Sequence, residues 1–148
     1  MSEENQVKPT VQMVREFHKA FGHPAPDTVT IPDTDTQLLR VSLIAEELLE
    51  LCEALNISLS ITNGMVHSAK ITSDTPIDMV EAADALADLD YVVAGGNVVF
   101  GFPAEKIVSN VHDSNMSKLG EDGKPIYRED GKIMKGPNYW KPNIGQFL

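Results

Sequence analysis

The chain has 148 residues and a formal net charge of -10, with 12 Lys and Arg against 22 Asp and Glu. That length suits one domain able to bury a core, and the acidic balance argues against a nucleic-acid partner, which needs clustered cations. Small anionic substrates are not excluded, because a bound cation inverts the local field.

Residues 1–9 are polar, lack the apolar stretch of a signal peptide, and read as a flexible tail. A first helix is predicted from Thr10, as cap, to about Phe21. Val11, Val14, Phe17, His18 and Phe21 mark its apolar stripe, and Gly22 and Pro24 stop it. A Pro- and Thr-rich connector fills Pro24 to Thr34. The second helix begins near Asp35 or Thr36 and runs to about Leu55 without an internal Gly or Pro.

Residues 58–75 form an insertion. Ile57, Leu59 and Ile61 alternate with polar residues ahead of the turn signal Asn63-Gly64, which leaves a small hairpin and a loop as the two readings. Thr75 as cap, Pro76 at the first helical position and Asp78 mark the start of a third helix, which Gly101 ends after Phe100. Pro103 opens a fourth helix with Ile107, Val108, Val111 and Met116 as its buried stripe. Residues 119–148, built around Glu121-Asp122-Gly123-Lys124 and Glu129-Asp130-Gly131-Lys132, read as an irregular tail wrapped on the helices. The expectation is a single all-α domain over 1–148, four helices and a tail. The most apolar window, Tyr91 to Phe102, is too short to span a bilayer. The lone cysteine, Cys52, excludes an internal disulfide. No membrane partner and a cytoplasmic location are therefore expected.

The second and third helices carry the chemistry. At roughly 100° per residue, Val41, Ile44, Ala45, Leu48, Leu51, Cys52 and Leu55 fill one arc of the second helix. Glu46, Glu47, Glu50 and Glu53 fill the other, with Leu39, Leu43 and Ala54 among them. On the third helix Glu81, Asp84, Asp88, Tyr91 and Gly95 share a narrow arc, and the rest is almost wholly apolar. Like charges three and four residues apart repel, and packing them together without a counter-charge raises their pKa values. A hard divalent cation resolves this. Magnesium prefers carboxylate oxygens and keeps waters that a polyphosphate and a nucleophile can replace, with manganese as a substitute.

The run Glu46-Glu47-x-x-Glu50, the acidic third helix, the segment Val111 to Lys118 and the Asp-Gly-Lys and Lys-Gly-Pro tail together resemble the MazG-like all-α NTP pyrophosphohydrolases. That superfamily includes dimeric dUTPases and phosphoribosyl-ATP pyrophosphohydrolases, and its pattern is EExxE on one helix and ExxD on the next. The resemblance implies an oligomeric four-helix MazG-like bundle, a homodimer or a tetramer. It implies metal-dependent hydrolysis of a nucleoside triphosphate, dUTP or another non-standard dNTP among the candidates, to the monophosphate and pyrophosphate. It makes Glu47 and Glu50 metal ligands, and Glu46 either a ligand to a further metal or the base that activates water. On the third helix the glutamate expected three residues before Asp88 is Ala85. Asp88 is taken as ligand, with Asp84 supplying the missing carboxylate and Glu81 as a further candidate. Asn115 and Lys118 are implied phosphate or sugar contacts, and Lys135, with Tyr139 and Trp140, a wall of the site.

Three other readings stand beside this one. A phosphoribosyl-ATP pyrophosphohydrolase differs only in substrate. A non-catalytic, nucleotide-sensing helical module would tolerate Ala85. A di-iron bundle needs Glu-x-x-His on two helices, and no glutamate here has a histidine three residues on.

Overall fold

The computed structural model describes residues 7–71, 73 and 75–148. Residues 1–6, most of the expected tail, lie outside them, as do 72 and 74 of the insertion. The order of elements is α1 (Thr10–Phe21), α2 (Thr34–Ala54), β1 (Ile57–Thr62), β2 (Met65–Lys70), α3 (Met79–Phe100) and α4 (Ala104–Met116), with a 3₁₀ turn at Ile144–Phe147. The fold is all-α with a minor two-stranded sheet, as the sequence predicts. The chain divides into two compact units, Met1–Gly101 and Phe102–Leu148. Among the described residues no single helix is long and apolar enough to cross a membrane.

In the first unit the helix caps depart from the sequence reading. Thr10 does not cap α1; Pro9 holds that position, and the Thr10 hydroxyl donates instead to Asp90 on α3 at 2.5 Å. α2 starts at Thr34 because Asp33 Oδ1 accepts from Thr36 N–H at 2.7 Å. α3 starts at Met79, not at Pro76. Asp78 Oδ1 accepts from the N–H groups of Val80 at 3.0 Å and Glu81 at 3.1 Å, satisfying two of the free donors of a helix start. Thr75 sits before the helix, where its carbonyl accepts from Asn56 Nδ2 at 3.1 Å.

The insertion is a hairpin. Asn63 and Gly64 take φ values of 52° and 75°, the left-handed pair of a type I′ turn, and set the register Thr62↔Met65 through Ile57↔Lys70. β2 is exposed along its length.

α1 and α3 build the core around Val14, Ala94 and Val98, with Val11, Ala25 and Tyr91 against it. Phe17 and Phe21 of the expected stripe stay exposed. α2 packs along α3 with its mixed face: Arg40 is buried and Leu43 and Glu47 half-buried, while Val41, Ala45 and Leu48 of the purely apolar arc are exposed. In the second unit the tail runs along α4. The Ser114 hydroxyl donates to Trp140 O at 2.8 Å, Trp140 N–H to Ser117 Oγ at 3.1 Å, and Asn143 N–H to Asn110 Oδ1 at 3.0 Å. Ala104 and Ser114 are the buried residues of α4, while Val108, Val111 and Met116 of the expected stripe are exposed.

Candidate active site

The residues lining two cavities fix the relative direction of α2 and α3. The C-terminal end of α2 meets the first turns of α3 in a cavity of about 410 Å³ walled by Glu50, Glu53, Asn56, Asp78, Glu81 and Asp84. Leu39, Arg40 and Leu43, near the start of α2, share another cavity with Tyr91 and Gly95. The two helices therefore run antiparallel. Their carboxylates fall in order along one groove, because residues three and four apart stack on one helical face.

Glu47 is the centre of this arrangement. Its Oε2 is buried and has no hydrogen-bond partner among the described residues. Its pKa is raised above the usual glutamate value, first by desolvation and then by the charges of Glu50, Asp88, Glu46 and Asp84. The structure thus brings Glu46, Glu47, Glu50, Asp84 and Asp88 within electrostatic reach of one oxygen. Glu81 is not among the groups acting on Glu47. It lies on the acidic cavity in the first turn of α3, where the helix dipole favours an acid. Asp90 is outside the cluster and accepts from the Thr10 hydroxyl.

Among the described residues no three His, Cys, Asp or Glu side chains converge as a ready-made metal group. Carboxylates at this spacing repel one another, and only Glu47 of the five is other than exposed. The donor set is nevertheless all oxygen, the kind a hard divalent cation takes. A buried carboxylate oxygen without a partner is costly unless a positive charge or a donor meets it. Glu47, Glu50, Asp84 and Asp88 fit such a cation in chemistry. Ala85 is buried and lines the acidic cavity with Glu50 and Asp84, contributing no ligand.

In the second unit, Lys118 lies just beyond the end of α4 and its Nζ donates to Asn115 Oδ1 at 2.8 Å. Lys135 Nζ stands 4.6 Å from the centre of the Tyr139 ring, a cation–π contact. Both lysines thus have internal partners that also hold their charged ends in place. Sequence reading missed Arg40 and its cavity. The available signal was a lone arginine next to Leu39 and one helical turn from Leu43 and Ile44 on α2.

Residues 14–115 match the family described as phosphoribosyl-ATP pyrophosphohydrolase. The chain belongs to that family. As a phosphoribosyl-ATP pyrophosphohydrolase family member it is a hydrolase acting on phosphoric anhydrides, a nucleotide pyrophosphohydrolase of the MazG-like superfamily. The match takes in all of α2 and α3, and with them the whole carboxylate groove; it ends at Asn115, before Lys118 and Lys135. A similar solved structure comes from Exiguobacterium sp. 255-15 and is described as a "putative NTP pyrophosphohydrolase". It is 27% identical, covers 93% of this chain and 90% of its own, and has a TM-score of 0.42. No curated protein matches the chain.

Proposed function

We propose that this family member hydrolyses a nucleoside triphosphate, dUTP or another non-standard dNTP among them, to the monophosphate and pyrophosphate, with magnesium as cofactor and manganese able to replace it. The observation that carries the reading is the buried, unpartnered Oε2 of Glu47 amid four further carboxylates. Glu47, Glu50, Asp84 and Asp88 hold the cation, with Glu81 at the edge of the groove. When bound, the cation supplies positive charge where the polyphosphate is densest in negative charge. Glu46, exposed beside Glu47 on α2, orients the attacking water and accepts its proton. The water oxygen bonds to the α-phosphorus as the bond from that phosphorus to the α,β-bridging oxygen breaks, and pyrophosphate leaves with the electron pair. Asn115, Lys118 and Lys135 contribute contacts to phosphate or sugar. The working form is a cytoplasmic homodimer or tetramer.

Two observations favour other readings of the same groove. The matched family bears the name of phosphoribosyl-ATP, which makes that molecule a candidate substrate. Ala85, buried where a ligand glutamate is expected, favours a nucleotide-sensing module without turnover. One assay separates them: product analysis across standard and modified NTPs and dNTPs and phosphoribosyl-ATP, with magnesium or manganese. Monophosphate and pyrophosphate are expected, and the favoured substrate names the activity. Diphosphate and inorganic phosphate as main products would overturn the proposal. Nucleotide binding without any turnover would leave the sensing module.

A further inference from the structure

Followed away from Glu50, the groove between α2 and α3 reaches the second cavity, of about 330 Å³. Its walls are mainly apolar and aromatic. Phe17 meets Tyr91 edge-on, with ring centres 5.9 Å apart at 80°, and stacks on His23 at 6.2 Å and 12°. Such walls suit a planar ring.

One cationic side chain, Arg40, lines this cavity. It is 8% exposed, its Nε makes no hydrogen bond, and no carboxylate forms an ion pair with it among the described residues. Its one neighbour there is neutral. His18 Nδ1 lies 2.8 Å from Pro24 O and so carries the proton it donates, which turns the bare Nε2 toward the Arg40 guanidinium at 3.5 Å. Burial holds the His18 pKa below its ordinary value, consistent with a neutral ring. Gly95 keeps the space open, because a Cβ there would stand 2.7 Å from the guanidinium nitrogen. A buried guanidinium with unused donors is costly unless something accepts from it.

Position supplies the occupant. Arg40 precedes Glu47 by seven residues and Gly95 follows Asp88 by seven, about 10 Å along each helix. That is the reach from an α-phosphate through a pentose to the far edge of its base.

We propose that this cavity takes the nucleobase, and that Arg40 selects bases whose entering edge presents an oxo group over those presenting an amino group. The inference rests on the hydrolase reading above. Guanidinium only donates, so an oxo group of uracil or hypoxanthine completes its hydrogen bonds. The amino group of cytosine or adenine at the same place sets donor against donor.

The test pairs dUTP with dCTP and dITP with dATP in pyrophosphate-release kinetics, and dUMP with dCMP in calorimetric binding. It uses the wild-type protein, Arg40→Met and Gly95→Ala. The wild type is expected to favour the oxo member of each pair by ~10–100-fold in kcat/KM. Both variants should collapse that preference through KM, with kcat for the oxo substrate little changed. Gly95→Ala suits a helix and displaces only the flexible end of Arg40, so it serves if Arg40→Met folds poorly. Equal use of oxo and amino substrates by the wild type overturns the proposal, as does an oxo preference that survives in both folded variants. If no triphosphate is hydrolysed, the hydrolase reading fails by itself, and the preference for dUMP over dCMP in wild type and variants still decides the role of Arg40.

Discussion

A single oxygen, Oε2 of Glu47, carries most of what can be tested at the scale of residues. Folding raises the pKa of Glu47 above its ordinary value, so between the two values the folded chain binds more protons than the unfolded one. Stability of the metal-free protein then falls as pH rises through the window just above the usual glutamate pKa, and levels off beyond it. Glu47→Gln is expected to remove that fall, to leave the metal-free fold as stable or more so at neutral pH, and to abolish turnover. Thermal melts against pH in the presence of chelator, with an activity assay beside them, check all three; near-wild-type turnover at low magnesium overturns the ligand assignment. On α3, Asp84→Asn and Asp88→Asn should both weaken manganese binding by ~10-fold or more. Asp90→Asn should not, because Asp90 is engaged by Thr10 outside the cluster. Calorimetric titration of the three variants decides, and unchanged affinity in Asp84→Asn would shift its role to Glu81. The spacing of these acids was legible because helical periodicity alone puts them on one face. Arg40 was not, because a long cationic side chain among leucines usually reaches out to water, and only the packing of α1 and Gly95 around it shows otherwise.

Among elements, type was legible and ends were not. The Asn63-Gly64 pair tolerates positive φ at both positions and so marked the turn, while the structure decided for the hairpin over the loop. At the start of α3 the sequence points to Thr75 as cap, because Pro76 favours the first helical position. The structure uses Asp78, whose carboxylate reaches two free N–H groups, while Thr75 is held back by Asn56. Asp78→Ala is therefore expected to cost about 1 kcal/mol, and Thr75→Ala less than half of that, in chemical denaturation. A larger loss from Thr75→Ala would restore the earlier helix start. Gly101 ends α3 at φ 64°, and a Cβ there would run into the Thr28 carbonyl. Gly101→Ala should accordingly cost about 1–3 kcal/mol, whereas the same change at Gly96, where a Cβ meets nothing, should stabilise the helix slightly.

For the whole molecule, the quantity to explain is how little one chain buries. Among the described residues only seven hydrophobic side chains are buried, and four of them are alanines, too small a core for a chain of this length. Part of the missing burial lies on two helices. α3 exposes Met79 at 75%, Val80 at 76%, Leu86 at 55% and Val93, and Met79, Ala83, Leu86 and Val93 recur at helical spacing along one side, interrupted by Asp90, which accepts from Thr10. α2 exposes Val41 and Leu48, of the apolar arc that sequence periodicity marks out, together with Leu38 and Leu49. Apolar stripes of this length on a lone chain call for a partner surface, and the acidic stripes on the other side of both helices remain free to form the site. The homodimer proposed here should therefore be visible at micromolar concentration by light scattering, with a melting temperature that rises with protein concentration, since association stabilises by mass action. Leu86→Glu, an exposed change within a single chain, should cost little stability if the chain is monomeric. If the α3 stripe is the interface, the same change buries an unpaired charge, dissociates the dimer and removes the concentration dependence of melting. A monomer in the wild-type protein, or a Leu86→Glu variant that scatters and melts as the wild type does, overturns the assignment of this face.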